Sequence, residues 1–150
     1  MKRLILFIVC LLPLYAFADE EVMCLAETIY FEARGESVAG QLAVGLVVFN
    51  RVEHPKYPDT VCGVTRQAKL DHTGRIIRHA CQFSYYCDGK EEVINDNRSW
   101  NRARVMAEVL MEGYADFTEG ATHYHSKKVS PWWTPHFEQT STIGQHIFYK

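Results

Sequence analysis

Residues 38–53 constrain the fold more than any other stretch. Val38, Leu42, Ala43, Val44, Leu46, Val47, Val48 and Phe49 are apolar. At helical spacing they cover most sides of the helix they would form. Such a helix is predicted to be central and buried, with other elements packed around it. Ser37 is placed to cap its start, and Pro55 and Pro58 end it.

The rest of the chain supplies the wrapping. Val22, Leu25, Ala26, Ile29 and Ala33 recur at helical spacing, which predicts an amphipathic helix over 21–34 with Gly35 as its stop. Thr60 can cap a short helix through Val61 and Val64. Residues 68–98 are polar and Gly-containing and read as an extended irregular region. Ser99 opens a further helix, with Trp100, Ala103, Met106, Ala107 and Leu110 on one face and Gly113 as the stop. Residues 120–125 and 143–149 are β-prone and carry turn signals, so a small antiparallel β element is expected near the C-terminus. Helices first, an irregular middle and short strands late predict one α+β domain in which helices dominate.

The N-terminus has the three-part pattern of a secretory signal. Lys2 and Arg3 precede an apolar run from Leu4 to Leu14, broken only by Cys10 and Pro13, and Ala16-Phe17-Ala18 is a small-x-small cleavage site. The run is shorter than the roughly 20 residues that span a bilayer. Residues 1–18 are therefore expected to be removed, leaving 19–150 as a soluble periplasmic or secreted domain with no stable membrane insertion. Of the 5 cysteines, Cys10 leaves with the signal. Cys24, Cys62, Cys81 and Cys87 remain, an even set for an oxidising compartment. Three pairings are open. Cys81 with Cys87 would close a small loop, and Cys24 with Cys62 would then tie the first helix to the segment after the second. No C-x-x-C pair occurs, which argues against structural zinc. The net charge of −2, with charges interspersed, gives no basic patch for nucleic acid.

The strongest chemical feature is Ile29-Tyr30-Phe31-Glu32-Ala33-Arg34-Gly35-Glu36. Glycoside cleavage needs a carboxylic acid that stays protonated near neutral pH, and burial among apolar groups provides that. Glu32, late in a helix beside Phe31, is the candidate, with Arg34 acting against it if close. Glu36 lies past the helix stop and reads as a positioning or substrate-contacting residue; Glu27 falls off the apolar stripe. Gln82, Phe83, Ser84 and Asp88, around the Cys81 and Cys87 segment, are candidate glycan contacts. His123, Tyr124 and His125 alternate as on a strand, so both imidazoles share a face. With His146 on a neighbouring strand, three imidazoles could hold zinc, which opens a rival reading as a zinc amidase or peptidase. No H-E-x-x-H accompanies them; substrate contact is favoured, and no metal or other cofactor is expected. Trp132 and Trp133 lie in a Pro-flanked loop, and Trp133 is a candidate for sugar stacking.

Several motifs, in order, resemble one family. They are Glu32-Ala33-Arg34-Gly35-Glu36, Gly40-Gln41-x-Ala43-Val44-Gly45 and Val48-x-Asn50-Arg51-Val52. Then come Tyr57-Pro58-Asp59-Thr60-Val61-Cys62-Gly63-Val64 and Cys81-Gln82-Phe83-Ser84-Tyr85-Tyr86-Cys87-Asp88-Gly89. Gly120-Ala121-Thr122-His123-Tyr124-His125 and Ile143-Gly144-Gln145-His146-Ile147-Phe148-Tyr149 complete the set. Together they resemble the cell wall hydrolases typified by the spore cortex-lytic enzymes SleB and CwlJ. The resemblance implies a domain shaped like lysozymes and lytic transglycosylases. It implies peptidoglycan as substrate, Glu32 as the single acid, and no metal. Members often carry a separate wall-binding domain, for which 150 residues leave no room, so targeting would fall to this domain or to a partner. A regulatory partner is expected, because unchecked wall cutting is lethal, but no residues name it. A non-catalytic wall-binding module would use the same aromatic loops and disulfides.

Overall fold

In a computed structural model of the protein, residues 12–150 are described, with side chains from residue 18 onward. The expected signal 1–18 lies mostly outside the described residues. Four α-helices run Leu12–Ala33 (α1), Val38–Glu53 (α2), Val61–Thr65 (α3) and Asn97–Glu112 (α4). Five strands run Ala68–Leu70 (β1), Ile76–Cys81 (β2), His123–Ser126 (β3), Gln139–Ile143 (β4) and His146–Tyr149 (β5). Single 3-10 turns lie at Ser84–Cys87 and Thr134–His136. The α+β, helix-dominated expectation holds. No helix among the described residues is long and apolar enough to cross a membrane.

The apolar run of α2 is buried from Gly40 to Val48. One side packs with α1 and α4, where Leu42 and Leu46 meet Leu25, Ile29, Tyr30, Ala103, Met106 and Leu110. Its other side packs on the C-terminal sheet, where Ala43 and Val47 meet Ala121 and Phe148. A helix with partners on both sides has no solvent face to keep polar, which is why its sequence shows so little amphipathicity. Gly45 marks the tightest approach: a methyl there would collide with Leu110 Cδ1 and reach within 3.3 Å of Ile29 Cδ1.

Caps set the helix boundaries. Ser37 accepts from the Gly40 N–H and Thr60 from the Gly63 N–H, as expected. Glu21 adds a carboxylate at the start of α3, accepting from the Val61 N–H at 2.6 Å. α4 starts two residues before Ser99, because Asp96 takes the cap by accepting from the Arg98 and Ser99 N–H groups. α1 is already helical at Leu12, the first described residue, well before the expected residue 21.

The irregular region expected over 68–98 contains the antiparallel hairpin β1–β2. Most of its side chains are exposed, so no apolar alternation marks it. Its turn is organised by Asp71, whose Oδ1 accepts from the N–H groups of Thr73 and Arg75, with Gly74 at φ 82°. The C-terminal sheet is antiparallel in the order β3-β5-β4, and all of β4 but Ile143 lies outside the two segments expected to be β.

Of the three open pairings, the structure forms Cys24–Cys62 and Cys81–Cys87. The first ties α1 to α3 across 38 residues of sequence. Closing a loop that long restricts the unfolded chain and stabilises the fold by about 2–4 kcal/mol. A Cys24→Ala/Cys62→Ala variant is therefore expected to lose about that much in urea unfolding. Unchanged stability would mean that core packing alone fixes α3.

Candidate active site

Glu32 lies one residue before the end of α1, where the helix runs out against the C-terminal sheet. Its Oε2 accepts from the Tyr124 hydroxyl at 3.0 Å. The Ser84 backbone N–H also faces it, and the Arg51 guanidinium bears on its charge. Four separate elements thus meet at one carboxyl: α1, the last turn of α2, β3 and the 3-10 turn closed by Cys81–Cys87. One turn earlier on α1, Thr28 shares a 2.8 Å hydrogen bond with the Tyr85 hydroxyl, and Phe31 stacks on the Tyr85 ring at 5.0 Å. These contacts fix the 3-10 turn against α1. Beside Glu32 opens a cleft of about 430 Å³ that also exposes Phe31, Ser84, Tyr85, Asp88 and Asn95.

Burial raises the Glu32 pKa above the ordinary 4.5, and the Tyr124 hydroxyl, Arg51 and the Ser84 amide pull it partly back. Tyr124 itself titrates far above its usual value, chiefly through burial and then through the Glu32 charge, so it remains a donor. The site therefore holds a carboxyl that can keep its proton and, once ionised, is met by one hydroxyl, one amide and one cation. Glu27 is also raised by burial, but it faces Arg66 and Glu92.

The cation that bears on the Glu32 charge is Arg51 and not Arg34, although Arg34 also lines the cleft. Arg34 is exposed and lies over the Tyr30 ring at 4.9 Å. Arg51 is only 5 % exposed. Its Nε donates to the Thr122 carbonyl at 2.7 Å, and its guanidinium lies over the rings of Phe83 and Tyr57. Asn50 beside it donates to the Ala121 carbonyl at 2.9 Å. Together they tether the segment entering β3 and so set Tyr124 over Glu32. Arg51, Tyr57 and Tyr85 join the site only through the fold. The available signal is a polar Asn50-Arg51 pair directly after the apolar run of α2.

The other candidates divide. Ser84 and Asp88 share the Glu32 cleft; Asp88 Oδ1 accepts from the Lys90 N–H, which holds its carboxyl below the usual range. Gln82 is exposed, and its N–H pairs with the Gln67 carbonyl in continuation of the hairpin. Phe83 is 2 % exposed and enclosed in the core beneath Arg51, so its ring is not open to a sugar. Glu36 accepts from the Gln145 N–H at 2.9 Å and clasps the β4–β5 turn at Gly144, where a Cβ would strike its carboxylate. Trp133 is half-buried between His123, His125, Phe137 and Tyr149, while neighbouring Trp132 is 83 % exposed.

The imidazoles do not converge. β3 pairs with β5 so that His123 is opposite Tyr149, Tyr124 opposite Phe148 and Ser126 opposite His146. Paired residues share a sheet face, which puts His146 with Tyr124 on the inner face, away from His123 and His125. His125 Nε2 instead shares a hydrogen bond with the Tyr149 hydroxyl. Among the described residues no three His, Cys, Asp or Glu groups are placed to hold a metal ion.

A helix-rich α+β domain with one shielded carboxyl at a helix end defines a class, and comparison with known proteins supplies the family. The sequence profile described as Cell Wall Hydrolase matches residues 35–149. The chain belongs to this family. The matched stretch begins just after Glu32. Spore cortex-lytic enzymes of Halalkalibacterium halodurans and Bacillus subtilis are 30% and 31% identical over 88% of this chain, which covers 35% and 38% of their lengths. The chain thus spans little more than a third of these relatives. Two solved structures are similar in fold. One is the catalytic domain of Bacillus cereus SleB (TM-score 0.65, 28% identity, covering 88% of this chain and 91% of that one). The other is the catalytic domain of the germination-specific lytic transglycosylase SleB from Bacillus anthracis (TM-score 0.67, 28% identity, covering 87% and 93%).

Because folding favours the protonated form of Glu32, the stability it contributes is complete below about 4.5, its ordinary pKa, and is lost as pH rises through the higher folded value. Glu32→Gln is therefore expected to melt above the wild type at pH 7, with the gap closing toward pH 4. A variant that melts at or below the wild type at pH 7 would contradict a desolvated carboxyl.

Proposed function

We propose that the protein cleaves the glycan strands of peptidoglycan by lytic transglycosylation, with Glu32 as the one acid and base. The observation that carries this is a single carboxyl whose pKa burial raises and whose ionised form Tyr124, Arg51 and the Ser84 amide can receive. Protonated Glu32 gives its proton to the glycosidic oxygen that follows a muramic acid residue, and the leaving sugar departs as an alcohol. The C6 hydroxyl of the muramic acid then attacks its own anomeric carbon, and the Glu32 carboxylate takes the proton from that hydroxyl. The product is a 1,6-anhydro end. Intramolecular attack needs no second carboxylate across the sugar ring, whereas a two-carboxylate hydrolase does. Glu36, the nearest carboxylate in sequence, is engaged by the β4–β5 turn, which supports a one-acid scheme. The solved Bacillus anthracis relative is described as a lytic transglycosylase, which supports the same reaction type.

The place of action is part of the same reading. Residues 1–18 direct export and are removed after Ala18, and the domain works in the periplasm or outside the cell. The two disulfides support an oxidising compartment. Gln82, Ser84, Asp88 and the aromatic groups around Trp133 are the proposed glycan contacts.

Mass spectrometry of fragments released from purified sacculi tests the chemistry. Anhydro-muramyl ends are expected from the wild type, with release lowered about 10²–10⁴-fold in Glu32→Gln. Reducing ends would mean that water attacks instead. Folded wild type that binds sacculi and releases nothing would mark a binding module. Tyr124→Phe removes a hydrogen bond that favours the Glu32 anion. Its activity is expected to fall off at a higher pH than the wild type's on the alkaline side.

A further inference from the structure

A second hollow of about 380 Å³ opens on the other side of Tyr124's strand, lined by Lys56, Lys150, His54, His123, Tyr57 and Phe137. No acidic side chain lines it. Among the described residues Lys56 has no ion-pair partner, and Lys150 has only a 4.0 Å contact with the exposed Glu138. Beneath the floor lies Arg51, over the Tyr57 ring and bonded to the Thr122 carbonyl. Its Nη1 is buried with no hydrogen-bond partner. His54 adds a donor: its Nδ1 accepts from the Lys56 N–H at 3.2 Å, so the neutral ring carries its proton on Nε2. In a protein of net charge −2, these cations gather in one concave place. His123 is pushed down to about 4, first by burial and then by Arg51 and His54, so its ring is neutral at pH 7.

The hollow and the Glu32 cleft lie on opposite faces of β3, an edge strand of its sheet, and Arg51 stands between them: it bears on the Glu32 charge and lies over the Tyr57 ring that lines the hollow. Resting on the peptidoglycan reading above, we propose that this hollow binds a carboxylate of the peptide stem carried by the glycan strand in the Glu32 cleft. Lys56 and Lys150 supply the mobile charges, the His54 Nε2–H a directed donor, and Arg51 a fixed charge from below. Phe137 and Tyr57 offer apolar walls to the stem's aliphatic side chains. The hollow would make the enzyme prefer strands whose stems are intact.

The test uses the Glu32→Gln protein, which does not consume its ligand, and a tetrasaccharide fragment carrying its peptide stems. The comparison ligand is the same fragment with its peptide carboxylates converted to methylamides. The free-acid fragment is expected to bind roughly three- to tenfold more tightly, the range that two partly exposed charge contacts allow. Lys56→Gln/Lys150→Gln, two surface changes, is expected to bring that ratio close to one. NMR titration is expected to show the His123 imidazole pKa rising with the free-acid fragment and staying low with the amide. Equal binding of the two fragments, or a preference that survives in the double variant, would overturn the assignment. Binding of neither fragment would instead overturn the peptidoglycan reading, and this assignment with it.

Discussion

Burial of α2 on two sides is the constraint on which the other elements depend. Helical hydrogen bonds close within the segment, so a helix can be enclosed without leaving backbone groups unpaired. The α1–α4 layer takes one side of α2 and the three-stranded sheet the other. Gly45 lets Leu110 approach closely, which brings α4 against α2. With the spine fixed, the end of α1 and the start of β3 have little freedom left, and they are what meet at Glu32.

Opposed effects act on one carboxyl at the site. Burial alone would keep Glu32 neutral and make it a poor base. A hydroxyl, an amide and a guanidinium alone would keep it ionised and make it a poor acid. Their combination, with burial the larger effect, yields a group able to serve in both directions. Arg51 is central because it acts twice. It ties the entry of β3 to α2 through the Thr122 carbonyl, and it places a cation where water cannot easily screen it.

Polar groups around the site are mostly held by the fold itself. Glu36 clasps the β4–β5 turn, Asn50 gathers the loop before β3, and the Cys81–Cys87 bridge closes the turn that presents Ser84. Such contacts from unrelated elements reduce the freedom of the cleft walls. The uneven charge on either side of β3 follows from this folding and not from composition. The cleft beside Glu32 carries Asp88, Glu91 and Glu92 along with Arg34 and Lys90, whereas the hollow holds Lys56, Lys150 and two imidazoles and no acidic side chain.

The apolar run of α2, the Ser37 and Thr60 caps and the stripe on α4 determined the helical frame from sequence alone, because burial periodicity and cap chemistry are local signals. The ordered motifs likewise marked the family and pointed to Glu32. The exposed hairpin β1–β2 left no apolar pattern to read, and β4 lacked one as well. Asp96 outcompeted Ser99 as a cap by offering a carboxylate to two N–H groups. Only the tertiary structure decided that Arg51, 19 positions beyond Glu32 in the chain, is the cation that tunes it, and that Phe83 is core. It alone put His146 on the opposite face from His123 and His125, because strand register is set by long-range pairing with β5. Local sequence determines where helices start and what they bury. The field at a carboxyl is a sum over groups distant in the chain, and their distances exist only once the layers have packed.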